Sequence, residues 1–490
     1  MNKTPLFELL SAAGLDPIDG PTIAGLCSDS RILKKGELFC ALRGNNFDGV
    51  SFIPQAIQQG ASAILAPRDT SLPQAPQTSV PFILSDNVPL DIARLCSAYY
   101  KPMPTLKLAV TGTNGKTSVA HLVRTMLELL GEKAFSIGTL GLEPQALGIL
   151  LPYLTTPDTI ELHKAASRAA ELGYNKMIVE ASSHGLDQYR LHGLRFDAAA
   201  FTNLSQDHLD YHETMQHYFV AKEKLFTELL APEGTAVLNA DTEEFAQLSA
   251  LEIPKLSYGF YGKDLQLLKL ESRSNGLFIE ANILGQSYSV QLGLLGKFQA
   301  HNLLAATGLL IAYGYAPKTV VATWSKLKNP AGRMEIVTYA KHKGSAIIDF
   351  AHTPDALNAA LSSARDHLRG DQAKLWVVFG AGGERDPDKR AKMGAVAAHL
   401  ADFPIITDDN PRTECPNTIR SMIQKAAPHA LNIGDREQAI AYAMERMHAG
   451  DVLLVAGKGH EQGQIIGDQV LPFDDREVIE NLSQSLWEIK

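Results

Sequence analysis

The sequence predicts an α/β protein of three domains with parallel sheets. Its 490 residues correspond to about three domains of roughly 150 residues each. From Leu106 onward, short apolar strands, glycine-rich or polar turns and helix-like stretches alternate, which is typical of a parallel sheet covered by helices. Pro102 and Pro104 interrupt regular structure, and a new series of strands begins near Arg333. We therefore expect domains at 1–101, 102–332 and 333–490.

The composition is close to that of an ordinary globular protein. Hydrophobic residues make up 45% and charged residues 20%, which disfavours wholesale disorder and a coiled-coil rod. The 45 Lys and Arg against 54 Asp and Glu give a net charge of −9, which argues against a nucleic-acid or membrane-surface partner. The four cysteines lack metal-ligand spacing, and no apolar run reaches the roughly 18 residues of a membrane span. We expect a cytoplasmic protein with reduced thiols.

Each predicted domain has its own pattern of elements. The N-terminal part contains the strand-like GELFCALRG and SAILAP around the helix-like IPQAIQQGA, which predicts a small α/β domain. In the middle, the strands LKLAV, KMIVEA and DAAAFTNL run into polar or glycine-rich turns. Near the C-terminus, SAIIDF, KLWVVFG, FPIITDD and DVLLVAG each precede a polar loop. Ligands of open α/β sheets bind beyond the carboxyl ends of the strands, so we expect these four loops to face one crevice.

Residues 108–118, LAVTGTNGKTS, have the pattern of a phosphate-binding loop. A glycine turn leads from a strand into a helix that Lys116 and Thr117 open, so backbone N–H groups at the helix start can cradle phosphates. Lys116 would neutralise phosphate oxygens, and the Thr117 hydroxyl can reach Mg²⁺. Gly112 and Gly115 lie closer together than in the usual motif, so an ordinary glycine turn is the alternative.

Two further polar residues follow central strands. Glu180 ends KMIVE, where a carboxylate can hold Mg²⁺ or can simply lie at the surface. His208, between Asp207 and Asp210, could be a metal ligand, a base or a hydrogen-bonding loop residue. The local sequence leaves these alternatives open.

Eight motifs occur in an order that resembles the Mur ligase family of peptidoglycan synthesis. They are GTNGKTS, EASSHGLDQYR, FTNLSQDHLDYH, HNLLAA, GRME, DFAHTPDA, DDNPR and GKGHE. The resemblance covers essentially the whole chain and implies a small N-terminal α/β domain that binds a UDP-sugar, a central P-loop ATPase and a C-terminal Rossmann-like domain. It implies that ATP phosphorylates the D-glutamate γ-carboxylate of UDP-N-acetylmuramoyl-L-alanyl-D-glutamate. The amine of meso-2,6-diaminopimelate would then displace phosphate.

The resemblance also implies which residues bind the nucleotide and the metal. ATP is expected at Gly112, Thr113, Asn114, Gly115, Lys116, Thr117, Ser118, Asn302, Arg333 and Asp349. Mg²⁺ is expected at Thr117, Glu180 and His208, together with Lys222 as a CO₂-derived carbamate, N6-carboxylysine. Lys116, Glu180, His208 and Lys222 are the expected catalytic residues. Without the family, Lys222 and Lys224 are indistinguishable solvated helix lysines, and Asn302 could be a helix N-cap.

The substrates are expected at two further sets of residues. The UDP-sugar dipeptide is expected at Ser28, Ser30, Asn45, Asn46, Phe47, Thr155, Thr156, Ser182, Gln188 and Arg190. Diaminopimelate is expected at Arg385, Asp409, Asn410, Pro411, Arg412, Gly457 and Glu461. Because two guanidiniums and two carboxylates suit a ligand with both charges at both ends, diaminopimelate is favoured over L-lysine.

Three alternatives stay open at this point. The chain could add L-lysine by the same reaction, or it could be a ligase similar to folylpolyglutamate synthase. From a different class, it could be a non-catalytic P-loop regulatory module. We expect a monomer.

Overall fold

The computed structural model describes residues 3–44, 48–70, 80–151, 154–273, 276–340 and 343–486. Contacts divide the chain into two units, each made of several stretches. The first comprises Met1–Thr111, Gly131–Ala199 and Ala221–Gly234. The second comprises Gly112–Leu130, Ala200–Val220 and Thr235–Lys490. No helix among the described residues is both long and apolar enough to cross a membrane.

The N-terminal part contains a small parallel sheet with helices on both faces. Its elements are β1 (Thr4–Pro5), α1 (Leu6–Ala12), β2 (Thr22–Ile23), β3 (Leu26–Cys27), β4 (Leu38–Cys40), a 3-10 helix (Gly49–Phe52), α2 (Ile53–Gln58), β5 (Ala63–Pro67), β6 (Phe82–Ser85) and α3 (Val88–Tyr99). Strands β3 to β6 pair in parallel in chain order. Leu38 and Cys40 pack in one apolar cluster with α1 and α3, whereas Phe39 packs with α2. Alternate residues of β4 therefore serve opposite faces of the sheet, as the pleat requires.

The middle part begins with the strand of the predicted phosphate loop. Its strands are β7 (Leu106–Thr111), β8 (Ala134–Gly138), β9 (Gly141–Glu143), β10 (Lys176–Glu180), β11 (Phe196–Phe201), β12 (Leu230–Asn239), β13 (Lys255–Gly259), β14 (Leu265–Arg273), β15 (Gly276–Ile283) and β16 (Gln286–Leu292). Its helices are α4 (Lys116–Leu129), α5 (Thr159–Glu171), α6 (Ser183–Asp187), α7 (Leu209–His212), α8 (Met215–Thr227), α9 (Phe245–Ser249), α10 (Phe298–Tyr313) and α11 (Pro317–Val321), with 3-10 helices at Gln145–Leu147 and Trp324–Lys326.

These strands form the sheets of both units. In the first unit the strand order is β9-β8-β10-β7-β11, and β10 is parallel to both β7 and β8. In the second unit the order is β11-β12-β13-β14-β15-β16, in which β14 to β16 are antiparallel. The parallel pairs bring the carboxyl ends of β8 and β10 to the same edge of the sheet, which positions the residues that follow them.

The C-terminal part is a six-stranded sheet with helices on both faces. Its elements are β17 (Glu335–Ala340), β18 (Gly344–Asp349), α12 (Pro354–Arg365), β19 (Leu375–Phe379), α13 (Asp388–Leu400), β20 (Phe403–Ile406), α14 (Pro416–Gln424), β21 (Leu431–Asn432), α15 (Arg436–Arg446), β22 (Asp451–Ala456), β23 (Gly463–Ile466), β24 (Gln469–Pro472) and α16 (Asp475–Leu486). The order is β17-β18-β22-β19-β20-β21, and all pairs except β17-β18 are parallel. Strands β23 and β24 form a separate hairpin. The four strands predicted from the sequence are confirmed.

Candidate active site

The phosphate loop lies between β7 and α4, as the sequence predicts. Lys116 Nζ donates hydrogen bonds to the carbonyl oxygens of Gly112 and Thr113, over 2.8 and 2.7 Å. The backbone N–H of Thr113 donates to Asn203 O over 2.8 Å, and that of Asn114 donates to Asn203 Oδ1 over 2.9 Å. The segment after β11 therefore holds the loop, and the loop's own carbonyls hold the lysine. Asn203 also follows a strand, but it is not among the site residues predicted from the sequence.

The two loop glycines are required by close neighbours. A Cβ on Gly112 would lie 1.9 Å from Thr202 Oγ1, and one on Gly115 would lie 2.4 Å from Asn302 Oδ1. Gly115 also has a φ of +90° and is the N-cap of α4. Side chains at these positions would displace the loop, so the glycines bring it against Thr202 and Asn302.

Asn302 lies inside α10 and not at its start. The helix begins at Phe298 with Lys297 as its N-cap, so the alternative that Asn302 caps a helix is wrong. Its Nδ2 donates to Gln299 Oε1 over 2.9 Å, and Gln299 Nε2 donates to Ser118 Oγ over 3.3 Å. Helical spacing puts Gln299 and Asn302 on one face of α10, beside the phosphate loop.

Arg333 and Asp349, which are also predicted to bind the nucleotide, lie in the second unit. Arg333 Nη2 donates to Thr117 Oγ1 over 3.1 Å, and its guanidinium lies 4.2 Å from the centre of the Phe350 ring. Asp349, at the end of β18, accepts from the backbone N–H groups of Met334 and Ala351 over 2.7 and 2.8 Å. Burial raises the pKa of Asp349 to about 6, although the Arg333 charge and both N–H donors oppose that rise.

His208 lies in a left-handed backbone conformation directly before α7, with a φ of 54°. Its Nε2 is 3.5 Å from Asp207 Oδ2, and His352 Nε2 is 3.8 Å from the same oxygen. Burial would raise the pKa of Asp207, but the neighbouring charges of His208, His352 and Lys389 outweigh it and lower the pKa to about 2. The histidine of DFAHTPDA, which the sequence analysis left without a role, thus faces the same carboxylate as His208.

Glu180 is the centre of a hydrogen-bonded network in the first unit. Its side chain is buried, and its two oxygens accept from Thr139 N over 2.9 Å and from Thr139 Oγ1 over 3.1 Å. Thr139 Oγ1 also lies 3.2 Å from Thr155 Oγ1. Thr156 Oγ1 donates to the Glu180 carbonyl over 2.7 Å and lies 2.9 Å from Ser182 Oγ. Thr139, which follows β8 at the same sheet edge, was missed by the sequence analysis.

Gln188 and Arg190 extend this network. Arg190 donates from Nη1 to Thr156 O over 2.8 Å and from Nη2 to Gln188 Oε1 over 2.6 Å. In the N-terminal sheet, Ser28 and Ser30 follow β3, and Ser30 Oγ donates to Gln55 Oε1 over 3.1 Å. The predicted Asn45, Asn46 and Phe47 lie outside the described residues.

Lys222 and Lys224, which the sequence could not separate, differ sharply in the structure. The Lys222 side chain on α8 is 1% exposed. Lys224 Nζ instead forms an ion pair with Asp187 Oδ1 over 2.7 Å, which raises the pKa of Lys224 against the lowering by burial. Of the two lysines, Lys222 is the buried one, so a change of its charge would have the larger electrostatic effect on neighbouring groups.

Loops after β19, β20 and β22 converge in the C-terminal sheet. Asn410 Nδ2 donates to Glu461 Oε2 over 2.9 Å, and Arg412 Nη1 donates to Gly383 O over 2.7 Å. A Cβ on Gly457 would lie 2.5 Å from Asp409 Oδ2. Arg385 lines a cleft of about 290 Å³ beside Gln206 and Asp210. These hydrogen bonds join the loops that carry Gly383, Asn410 and Glu461, whereas the crevice shared by all four predicted loops stays a prediction.

Arg412 lies close enough to Arg385 for the two positive charges to repel each other. Burial lowers the pKa of Arg412, and the nearby Arg385 guanidinium lowers it further, while Asp409, Glu461 and Glu384 oppose the shift. Two cations that repel each other favour an anionic ligand such as a carboxylate. Arg412 itself has a positive φ of 53°, and its backbone bonds to the β23 hairpin through Ile465 O and Gly467 N.

Known proteins match the chain over nearly its whole length. The Mur ligase family, catalytic domain matches residues 22–106, the Mur ligase middle domain matches 110–310, and the Mur ligase, glutamate ligase domain matches 332–459. A UDP-N-acetylmuramoyl-L-alanyl-D-glutamate–2,6-diaminopimelate ligase of Zymomonas mobilis is 43% identical over 95% of this chain and 96% of its own. The chain belongs to the Mur ligase family.

Other Mur ligases and a related fold agree with this membership. The enzyme of the same description from Caulobacter vibrioides is 44% identical over 93% of this chain and 94% of its own. A solved structure of such a ligase covers 100% of both chains at 30% identity, with a TM-score of 0.69. Folylpolyglutamate synthase from Mycobacterium tuberculosis covers 75% of this chain and 91% of its own at 18% identity and a TM-score of 0.60, which is a likeness of fold.

The residues predicted for this Mur ligase fall into three groups of contacts. The phosphate loop, Asn302 and Arg333 meet in the second unit. In the first unit, a chain of hydrogen bonds through Thr139 and Thr156 connects Glu180 to the other predicted residues, which are Thr155, Ser182, Gln188 and Arg190. The third group is the C-terminal pocket of Asn410, Glu461 and Lys458, to which Arg412 is linked through the β23 hairpin. Lys458 was missed by the sequence analysis, although it stands in GKGHE directly after a strand.

Proposed function

We propose that this Mur ligase joins meso-2,6-diaminopimelate to the D-glutamate γ-carboxylate of UDP-N-acetylmuramoyl-L-alanyl-D-glutamate, with ATP hydrolysed to ADP and phosphate. The observation that carries the amino-acid assignment is that Arg412, which donates to Gly383 O, lies close enough to Arg385, Asp409 and Glu461 to be influenced by the charge of each. A ligand with an amine and a carboxylate at each end matches those charges. The names of relatives 43% and 44% identical over most of the chain support the same substrates.

We further propose the division of labour among three domains, with boundaries near residues 101 and 332. The N-terminal domain binds the UDP-sugar, the central domain binds ATP, and the C-terminal domain binds the incoming amino acid. The family matches at 22–106, 110–310 and 332–459 support these boundaries. The enzyme acts in the cytoplasm, as a monomer.

The first chemical step activates a carboxylate. An oxygen of the D-glutamate γ-carboxylate attacks the γ-phosphorus of ATP, the bond to the β-phosphate oxygen breaks, and ADP leaves. Both reactants are anions, so Lys116 and Arg333 offset their repulsion and hold the phosphates in line. Lys116 donates to the loop carbonyls and Arg333 donates to Thr117, so both cations lie beside the loop that we propose holds the phosphates.

The residues proposed for Mg²⁺ have suitable chemistry. The Thr117 hydroxyl, the buried Glu180 carboxylate and the His208 imidazole supply oxygen and nitrogen donors, and Mg²⁺ takes few protein ligands and completes its shell with phosphates and water. Bound there, the ion would neutralise charge on the transferred phosphoryl group. We propose that Lys222 carries a carbamate, because a carbamate is an anion whereas an ammonium would repel the metal.

The UDP-sugar dipeptide would be recognised through the network of the first unit. Arg190 is the cation of that network, and its planar guanidinium pairs well with carboxylates. Its bonds to Thr156 O and Gln188 Oε1 fix its orientation. Ser28 and Ser30 lie after β3, where the N-terminal sheet presents its carboxyl edge.

The second step forms the amide. The neutral amine of diaminopimelate attacks the acyl carbon, the carbon–oxygen bond to phosphate breaks, and the amine loses a proton as phosphate leaves. The acyl phosphate must be shielded from water until then. Arg412 would hold the carboxylate at the distal end, and Glu461 would hold an ammonium group.

A phosphate-release assay tests the proposal. Release should require ATP, Mg²⁺, UDP-N-acetylmuramoyl-L-Ala-D-Glu and meso-diaminopimelate together, and mass spectrometry should detect the tripeptide product. Equal turnover with L-lysine would contradict the amino-acid assignment, and turnover with neither amino acid would contradict the ligase assignment. Replacing the sugar nucleotide by a folate tests the folylpolyglutamate alternative in the same assay.

A further inference from the structure

Lys458 is a buried lysine at the carboxyl end of β22 that none of the roles above uses. The strand ends at Ala456, Gly457 turns the chain with a φ of +117°, and the Lys458 side chain that follows is 0% exposed. Removing an ammonium group from water is unfavourable unless acceptors surround it. Its surroundings therefore determine why a lysine can lie there.

Two residues of the proposed amino-acid pocket accept from this ammonium. Lys458 Nζ lies 3.1 Å from Asn410 Oδ1 and 3.2 Å from Glu461 Oε2. Asn410 Oδ1 also accepts from the backbone N–H of Ile465 over 3.0 Å, and Asn410 Nδ2 donates to Glu461 Oε2 over 2.9 Å. Lys458, Asn410 and Glu461 thus form a closed triangle of hydrogen bonds.

The triangle leaves part of Glu461 open to a ligand. The Glu461 side chain is 35% exposed, and both its bonds from Lys458 and Asn410 go to Oε2. Within the described part of the chain, Glu461 Oε1 accepts no hydrogen bond from a side chain or backbone group. The carboxylate is therefore held by one oxygen and can receive an ammonium group with the other.

Arg436 is a second buried cation nearby, and it is already paired. Arg436 is fully buried and forms two hydrogen bonds to Asp475, of 2.7 and 2.8 Å, and a third to Ala456 O. The carboxylate of Asp475 compensates its charge, although Asp409 and Glu461 lie close enough to help raise the pKa of Arg436. Among the residues that the structure describes, Lys458 is the cation that forms an ion pair with Glu461.

We propose that Lys458 is a positioning residue for the incoming amino acid. It holds the Glu461 carboxylate in place, and Glu461 in turn binds the ammonium group of the amino acid. This inference rests on the proposed ligase function. A charge-assisted hydrogen bond of this kind is stronger than a neutral one, so its loss should weaken binding of the amino acid much more than binding of ATP.

Steady-state kinetics of the full-length enzyme test the proposal with Lys458→Met, Glu461→Gln and the double variant. We expect each single variant to raise the KM for meso-diaminopimelate about tenfold or more and to change the KM for ATP less than about twofold. Because Lys458 acts through Glu461, the double variant should be no more than about twofold worse than the worse single variant. A merely structural lysine would give additive effects on both KM values.

Asp451→Asn is the matched control. Asp451 is a buried charged residue at the opposite end of the same strand, where it accepts from Lys374 N, His448 N and Trp376 Nε1. We expect this variant to lower the melting temperature without raising the KM for diaminopimelate. If it raises that KM as much as Lys458→Met does, the effect is general loosening of the domain and the proposal is wrong.

The remaining outcomes are also decisive. Additive effects of Lys458→Met and Glu461→Gln, or an equal rise in the KM for ATP, would overturn the role of Lys458. If Lys458→Met does not fold, Glu461→Gln alone decides, because an unchanged KM for diaminopimelate in that variant removes the contact on which the proposal depends. Failure of the wild-type enzyme to use diaminopimelate would instead count against the proposed function.

Discussion

Arg333 Nη2 donates a hydrogen bond to Thr117 Oγ1 over 3.1 Å, although 216 residues separate them in the chain. The same guanidinium lies over the Phe350 ring, 4.2 Å from its centre, so a cation–π contact restrains its position as well as the hydrogen bond. A rigidly oriented cation beside the phosphate loop can contact a bound nucleotide without a large loss of side-chain entropy.

Substitution of Arg333 should therefore weaken ATP binding. We expect Arg333→Gln to raise the KM for ATP about tenfold, because it removes a charge-assisted contact to phosphate, and to leave the KM for diaminopimelate nearly unchanged. Arg333→Lys keeps the charge but cannot contact the Phe350 ring in the same way. Its KM for ATP should therefore lie between those of the wild type and Arg333→Gln. Equal KM values for ATP in all three proteins would remove Arg333 from the nucleotide site.

Lys116→Ala should abolish ligation without unfolding the protein. The lysine donates hydrogen bonds to two carbonyls of its own loop, and their loss leaves the apolar core unchanged, whereas charge neutralisation in the transition state is lost completely. Phosphate release should fall by about a thousandfold or more, with an unchanged circular dichroism spectrum. The exposed Lys133, just beyond α4, provides the control: Lys133→Ala should keep full activity.

The two lysines of α8 should respond differently to substitution. We expect Lys222→Met to abolish activity, because it removes the lysine proposed to carry the carbamate, whereas Lys224→Met removes a partly exposed ion pair with Asp187 that is worth only about 0–1 kcal/mol. Wild-type activity should fall in CO₂-free buffer and return with bicarbonate. A larger loss in Lys224→Met than in Lys222→Met, or no dependence on bicarbonate, would contradict the carbamate.

Arg412 should determine the choice of amino acid. L-Lysine lacks the distal carboxylate of diaminopimelate, so the half-buried Arg412 beside Arg385 would have no carboxylate to bind. This should make the binding free energy of L-lysine about 1–3 kcal/mol less favourable than that of diaminopimelate. Arg412→Ala should therefore raise the KM for diaminopimelate about tenfold or more and narrow the preference over L-lysine. Arg446→Ala, an exposed arginine of α15, is the control, and a KM for diaminopimelate that stays unchanged in Arg412→Ala would exclude Arg412 from the pocket.

His163 should make the protein less stable in mild acid. Its ring is fully buried on α5, with Nδ1 2.8 Å from Thr159 O, and burial lowers its pKa to about 4. As the pH falls from about 6.5 to about 4, the unfolded chain takes up a proton that the native ring does not, so the free energy of unfolding decreases, by up to about 3 kcal/mol.

Urea unfolding at pH 7.5 and pH 5.0 tests this prediction for wild type and His163→Gln. The variant has no titratable ring at this position, so its unfolding midpoint should decrease less between the two pH values than that of the wild type. The same decrease in both proteins would show that His163 does not titrate in this range.

Local patterns in the sequence were sufficient to predict which segments form helices and strands, and to predict many residues of the candidate site. The strands that precede TGTNGKTS, SSHGL and AHTPDA form as predicted. They are recognisable because a parallel strand that is buried on both faces consists of a continuous run of apolar residues. Glu180 at a strand end and Lys116 at a helix start follow from the same patterns. The order of motifs identified the family, which the comparisons with known proteins confirm.

Other features depend on contacts between distant parts of the chain, which no local pattern encodes. Lys222 and Lys224 differ because the Lys222 side chain on α8 is buried, whereas Lys224 forms an ion pair with Asp187 at the end of α6. Asn302 lies within α10 and does not cap it, because the helix begins four residues earlier, at Phe298. Lys458 and Asn410 are 48 residues apart in the chain. They meet because β20 and β22 run in the same direction in one sheet, so the loops that follow the two strands lie at the same edge.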